Sequence, residues 1–264
     1  MVLPFYDVNP VRRTPWIMRL LIAANFAVFL VTPAVATIGV GAVSTADLCE
    51  LEAFYHRYGA IPQELVDNEP LAQVPTGPAA DGESCQVGSP GYDKVPALSA
   101  LTSMFLHAGW LHLLGNMLFL FVFGNTVEER LGHLRFLLFY LAGGAIAAYG
   151  FALAFPGSEV PMVGASGAVS TVLGAYLVLY PRARVWSLVP VLLFIPLRLP
   201  AWLVLGLWFV LQYVYATGYA TSGASGVAYL AHVLGFVFGF LVGLPLRRPR
   251  RRRRRRPVPP SYSG

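Results

Sequence analysis

Apolar residues along this chain fall into six long blocks separated by shorter polar stretches. The blocks run over residues 16–43, 102–123, 134–155, 163–180, 200–217 and 227–246. Most are about 18 to 25 residues long, the length a helix needs to cross a bilayer core. The pattern predicts an all-α membrane protein, a polytopic bundle of six transmembrane helices over residues 16–246. A seventh apolar stretch, 185–197, is short and broken by Pro190 and Pro196; it reads as an interfacial or loop segment, with a re-entrant piece as the other option. Three polar regions complete the chain: an N-terminal segment (1–15), a long loop rich in Pro, Gly and acidic residues (44–96), and a tail (247–264). Within the loop, residues 50–63 read as a helix ending at Gly59 and Pro62 that can lie flat on a membrane.

Composition agrees with the pattern. Only 12% of residues are charged, against about 25% in a soluble domain. The net charge of +6 comes largely from Arg247–Arg256, which holds nine arginines and one proline. Such a run predicts a disordered, solvated tail, with anionic lipid headgroups as a second reading and no nucleic-acid partner expected. Charge also orients the bundle. With a cytoplasmic N-terminus, every Lys and Arg except Arg57 and Lys94 lies on the cytoplasmic side, and an even number of spans returns the C-terminus there. Arg12-Arg13, an apolar run and Ala34-Val35-Ala36 also resemble a signal peptide, but the apolar stretch continues to Val43 and favours a span. Both cysteines, Cys49 and Cys85, then lie in the loop on the oxidising side, where a disulfide between them is expected.

Ionisable residues inside spans are functional candidates by default. No Asp, Glu or Lys lies inside an expected span, which removes an aspartyl-type intramembrane protease and disfavours a carboxylate-relay transporter. The absence of His-Glu-x-x-His leaves a zinc protease unsupported, and no metal or other cofactor is expected. Histidine remains: His107, His112 and His232. His112 and Asn116, spaced i, i+4, project from one helix face. Ser166 sits in Gly164-Ala165-Ser166-Gly167 at the start of the fourth span, and His232 lies one to two turns into the sixth. All four sit at similar depth toward the outer side. Taken singly, each has a plain structural reading as a packing or helix-contact residue. Together with two small-residue stripes, Ser166/Ser170/Gly174 and Gly235/Gly239/Gly243, they predict close approach of the fourth and sixth spans, bringing a Ser hydroxyl to a His imidazole.

The chain resembles the rhomboid family of intramembrane serine proteases. The resemblance rests on His107-x4-His112-x3-Asn116, Glu128-Glu129-Arg130-Leu131-Gly132, Gly164-Ala165-Ser166-Gly167 and Ala231-His232-Val233-Leu234-Gly235, and covers about residues 97–246. It implies a bacterial-type six-span core and a Ser–His dyad without an acidic third member. Ser166 is then the nucleophile and His232 the general base. His112, Asn116 and the backbone N–H of Ser166 serve the oxyanion, and Gly164, Gly167, His107 and Gly235 support the site. It further implies that Glu129 and Arg130 brace the turn after the second span, and that Trp202 and Phe209 belong to a lateral gate.

Two positions depart from some relatives: Ser170 stands where a Tyr can stack on the base, and the Trp-Arg pair of the first loop is absent, with Tyr55-His56-Arg57 nearby. The orientation of His232 must then come from elsewhere. Gly223-Ala224-Ser225-Gly226 repeats the nucleophile motif, but seven residues of helix would hold Ser225 about 10 Å from His232 along the axis, too far for a hydrogen bond, so it reads as a loop or cap residue. The expected activity is endoproteolysis of membrane proteins in or near their transmembrane segments, in a bacterial inner membrane. The partners are transmembrane substrates and lipid. The alternatives are a catalytically inactive relative that binds membrane clients and a channel or transporter that uses the histidines. Sequence leaves the oligomeric state open.

Overall fold

The structure is a computed structural model that describes residues 3–9, 12–33, 44–80, 82, 84–189, 195–222 and 228–247. The chain runs β1 (Leu3–Asp7), α1 (Trp16–Leu30), α2 (Thr45–Tyr58), α3 (Pro62–Asp67), β2 (Val74–Pro78), β3 (Cys85–Gly88), α4 (Pro96–Thr102), α5 (Trp110–Leu131), α6 (His133–Ala154), α7 (Ser166–Leu179), β4 (Arg184–Val189), β5 (Ile195–Pro200), α8 (Ala201–Ser222) and α9 (Tyr229–Leu246). Four helices are long and apolar enough to cross a membrane: Trp110–Leu131, His133–Ala154, Ala201–Gly218 and Tyr229–Leu246. With the shorter apolar helices α1 and α7 they form a helical membrane bundle.

Several boundaries differ from the sequence reading. The second span starts at Trp110 rather than 102, because the chain first makes α4 and a 3-10 turn, Ser103–Phe105. It also continues to Leu131, which takes Glu128 inside a helix as a fully buried carboxylate. That charge is satisfied: Glu128 accepts the N–H groups of Ile17 (3.0 Å) and Met18 (2.7 Å) and contacts His133 Nδ1 at 2.5 Å. It thereby caps α1, whose own N-terminal residue, Pro15, offers no side-chain cap. Glu129 and Arg130 act separately rather than as a pair. Glu129 accepts the N–H of Arg12 at 2.7 Å, and Arg130 donates to the carbonyl of Leu246 at the end of α9. Gly132 joins α5 to α6 at φ +83°, a left-handed turn that glycine adopts without strain.

The segment 185–197, expected as loop or interface, supplies β4 and β5 instead. They pair antiparallel, and β1 joins the free side of β4 to give the order β1-β4-β5. Alternation explains this: Val185 and Ser187 face inward and are fully buried. Pro196 is tolerated because β5 is an edge strand. The N-terminal segment is therefore part of the fold. Asp7, itself buried, accepts from Thr126 Oγ1 (3.0 Å) and from Asn9 Nδ2 (3.2 Å), and Asn9 also donates to Tyr176 Oη at 2.9 Å.

The loop before α4 is a small structured layer. Helix α2 opens on a Ser44/Asp47 capping box and ends at Gly59. A disulfide joins Cys49 of α2 to Cys85 of β3, and β2 pairs with β3. Lys94 and Glu64, both buried, form an ion pair at 2.5 Å. The end of the first expected span (34–43), the stretch 190–194, the second Gly-Ala-Ser-Gly motif with Ser225, and the arginine tail from 248 lie outside the described residues.

The core is built around α7, where Val172, Leu173 and Tyr176 are fully buried and Tyr176 meets Phe123 of α5 edge-on at 4.8 Å. The most extensive helix pairing is α7 with α9. A Cβ on Gly235 would strike the carbonyl of Gly167, one on Gly239 the carbonyl of Thr171, and one on Gly174 the backbone of Phe236. The two helices therefore touch backbone to backbone. The expected partner Ser170 faces elsewhere and donates to the carbonyl of Ser166 at 2.6 Å; Thr171 holds the contact instead, donating to the carbonyl of Gly235 at 3.0 Å.

Candidate active site

Up-and-down connectivity places the N-termini of α5, α7 and α9 at one end of the bundle. His112 is the third residue of α5, Ser166 the first of α7 and His232 the fourth of α9. Helix α7 has 14 residues and a length of about 21 Å, short of the roughly 30 Å hydrocarbon core. A cavity of about 1000 Å³ opens at its N-terminal end and continues along its flank past Val169 and Leu173; it is lined among others by Ser166, His232, His112, Asn116, Gln212 and Met162.

Ser166 Oγ and His232 Nε2 are 2.7 Å apart, from helices 66 residues apart in sequence. The α7–α9 backbone contact sets this distance, with Gly235 three residues after His232 and Gly167 next to Ser166. The other ring nitrogen, His232 Nδ1, meets Gln212 Oε1 of α8 at 2.8 Å. Sequence reasoning missed Gln212. A polar residue within the fifth apolar block was the available signal, but its facing partner is set only by packing.

The donor side is built from α5. Ala108 N–H donates to His112 Nδ1 at 3.4 Å, so a neutral His112 carries its proton on Nε2. That Nε2 faces Gly164: a Cβ there would stand 2.8 Å from it and 3.7 Å from Ser166 Oγ. Gly164 has φ +123°, so both conformation and space demand glycine. Its N–H donates to the carbonyl of Ser103 at 2.9 Å and ties the loop before α7 to the turn before α5. Asn116, buried, donates one amide hydrogen to the carbonyl of His112 at 3.1 Å, leaving a second. The ladder of α7 starts with the N–H of Val169 donating to the carbonyl of the cap residue Ala165 at 2.9 Å, so the N–H groups of Ser166 and Gly167 open the helix ahead of it. The arrangement gives a serine on an imidazole beside donors that converge at a helix N-terminus.

His107 lies in the turn before α5, not in the span. It is fully buried, packs edge-on against His112 with centroids 5.1 Å apart, and its carbonyl accepts from Tyr55 Oη at 2.9 Å. Gly167 sits against Ala147 of α6, where a Cβ would come within 2.8 Å. Phe209 packs on Phe236 with tilted rings 4.7 Å apart, and Trp202 is exposed at the far end of α8. Leu3 of β1 also lines the cavity. No group of His, Cys, Asp and Glu that could hold a metal is present among the described residues.

A family model described as "Rhomboid domain" matches residues 97–249. Among similar curated proteins, the rhomboid protease GluP of Bacillus subtilis (strain 168) is 46% identical over 77 residues, 29% of this chain and 15% of that protein. Rhomboid-like protein 11, chloroplastic, of Arabidopsis thaliana is 43% identical over 79 residues, 30% of this chain and 28% of that protein. Presenilin-associated rhomboid-like protein A, mitochondrial, of Danio rerio is 36% identical over 105 residues, 38% and 27% of the two chains. The chain matches less than a third of the length of each of these relatives. The family match, by contrast, covers more than half of this chain and includes Ser166, His232, His112, Asn116 and Gln212, and the chain belongs to the rhomboid family.

Proposed function

We propose that this chain is an intramembrane serine endopeptidase that cleaves membrane proteins in or near their transmembrane segments. The observation that carries the reading is the 2.7 Å contact between Ser166 Oγ and His232 Nε2, both of which line one cavity.

In the proposed mechanism Ser166 gives its proton to His232 Nε2 as Oγ attacks the carbonyl carbon of the scissile peptide bond. The carbonyl oxygen becomes an oxyanion, which His112 Nε2–H, the free Asn116 amide hydrogen and the Ser166 N–H stabilise, about 3–4 kcal/mol for one well-placed donor. His232 returns the proton to the leaving amine, and the C–N bond breaks to give an acyl-enzyme on Ser166. Water then attacks that ester with His232 again as base, and the acid product leaves as Ser166 regains its proton. A helical substrate has its carbonyls committed to its own hydrogen bonds, so the segment to be cut unwinds before it enters. No metal or cofactor takes part in this scheme.

Charge asymmetry supports an orientation with the Ser166 end outside. Arg12, Arg13, Arg130, Arg135, Arg184 and Arg198 lie toward the other end of the bundle. A bacterial inner membrane with both termini cytoplasmic is the matching localisation. The test is cleavage of a single-span substrate together with fluorophosphonate labelling. Wild type should cleave and label, and Ser166→Ala and His232→Ala should do neither while still folded. Cleavage retained in either variant overturns the mechanism, and an unreactive wild type leaves an inactive client-binding relative as the reading.

A further inference from the structure

We infer that Gln212 is a positioning residue for this reaction: from α8 it accepts the Nδ1–H of His232 and so keeps the Nε2 lone pair on Ser166. The inference rests on the reading of Ser166 and His232 as nucleophile and base.

An imidazole acts as base toward serine only when its proton sits on the far nitrogen. A neutral imidazole carries one N–H and one lone pair, and the partner of one nitrogen decides the state of the other. Here Oε1 of Gln212 lies 2.8 Å from Nδ1. An acceptor at that point holds the proton on Nδ1, and Nε2, 2.7 Å from Ser166 Oγ, is left to accept. The reverse amide rotamer would place an N–H against Nδ1, force the proton onto Nε2 and disable the base. Among the described residues nothing else at the ring does this work. Ser170 is committed to the carbonyl of Ser166, and Trp208 and Tyr229, with centroids 6.3 and 6.0 Å away, flank the ring without fixing its proton. Gln212 is itself 7% exposed. Burying an amide in an apolar helix contact is unfavourable unless it is hydrogen-bonded, and the bond to His232 supplies that partner. A neutral acceptor also sets the tautomer without placing a second formal charge inside the bundle.

The test compares Gln212→Leu, similar in size without an acceptor, with Gln212→Glu, which restores one. In full-length protein carrying ¹⁵N-histidine, the His232 signals are identified by their loss in His232→Ala. Wild type should show a protonated Nδ1 and an unprotonated Nε2. Gln212→Leu should lose that pattern and drop kcat by about 10- to 100-fold with KM nearly unchanged, a share of what a general base supplies. Gln212→Glu should recover both the tautomer and most of kcat. Wild-type kcat in Gln212→Leu, or a wild-type His232 already protonated on Nε2, overturns the assignment while the Ser166 reading stands. A wild type that neither cleaves nor labels overturns that reading and this one together, and the tautomer measurement, which needs no turnover, tells the two failures apart.

Discussion

Thr171 of α7 donates its hydroxyl to the carbonyl of Gly235 of α9 at 3.0 Å, a side-chain bridge across two helices that are in backbone contact. This contact fixes where His232 stands, one turn away. A valine at Gly235 meets the Gly167 carbonyl and one at Gly239 meets the Thr171 carbonyl, so both force the helices apart. Overpacking of this kind costs about 1–3 kcal/mol, and a 1 Å misplacement of reacting groups about a hundredfold in rate. Gly235→Val and Gly239→Val should therefore lose most turnover and probe labelling while still inserting. Gly243→Val, whose Cβ stands no closer than 3.2 Å to any neighbour, should be milder. Thermal unfolding and labelling of the three variants decide this, and near-normal turnover in Gly235→Val contradicts it.

Gly164→Ala should be damaging out of proportion to its one added methyl. The backbone there is at φ +123° and the methyl falls 2.7 Å from His112 Cε1. Strain at such a position costs about 1–3 kcal/mol. The displaced ring is the proposed oxyanion donor, so kcat should fall by tenfold or more, by analogy with loss of one donor at about 10²–10³. Steady-state kinetics alongside a melting curve separate the two effects, and a variant that loses stability but keeps kcat refutes the link to His112.

His112→Ala and Asn116→Ala should reduce kcat far more than they raise KM, because donors aimed at an oxyanion bind tightly only in the transition state. Each leaves the other and the Ser166 N–H in place, so the double variant should be worse than either single one. A defect confined to KM would assign both residues to substrate packing.

The Lys94–Glu64 pair offers a test away from the cavity. Burial pushes the Lys94 ammonium pKa below the usual lysine range, and the Glu64 carboxylate at 2.5 Å opposes that shift. The carbonyls of His56 and Gly59 also accept from Lys94, at 2.6 and 2.9 Å. Glu64→Gln strands a buried charge and should destabilise by about 3 kcal/mol, whereas Glu64→Leu combined with Lys94→Met should recover much of the loss. Unfolding temperatures of the single and double variants check this. A double variant less stable than the single one would show that the charges contribute more than their isolation costs.

Much of the fold was legible because its signals are local. Apolar blocks mark helices that face lipid or one another, and the bundle over the later blocks needs nothing beyond length and hydropathy. The two halves of the proposed site could also be read, since Gly164-Ala165-Ser166-Gly167 and Ala231-His232 are short motifs at the start of their helices. The hairpin β4–β5 was not legible. Its apolar run carries two prolines and no turn signature, and its pairing with β1 joins residues about 180 positions apart. Glu128 was misplaced outside the spans because a helix end is set by its cap and contacts, and here the chain of α1 supplies partners that let a carboxylate enter the bundle.

Sequence by itself thus determined that the chain is a helical membrane protein, where its apolar helices lie to within a few turns, and which serine and histidine are candidates. These follow from hydrophobic free energy and residue chemistry, both properties of the segment alone. Only tertiary structure decided that Thr171 rather than Ser170 meets α9, that a cavity reaches Ser166 along the flank of α7, and that Gln212 reaches His232 from α8. Adjacent residues on a helix point about 100° apart. Which of them touches a neighbour therefore depends on how each helix is rotated and crossed, and that is settled by the packing of all the helices together.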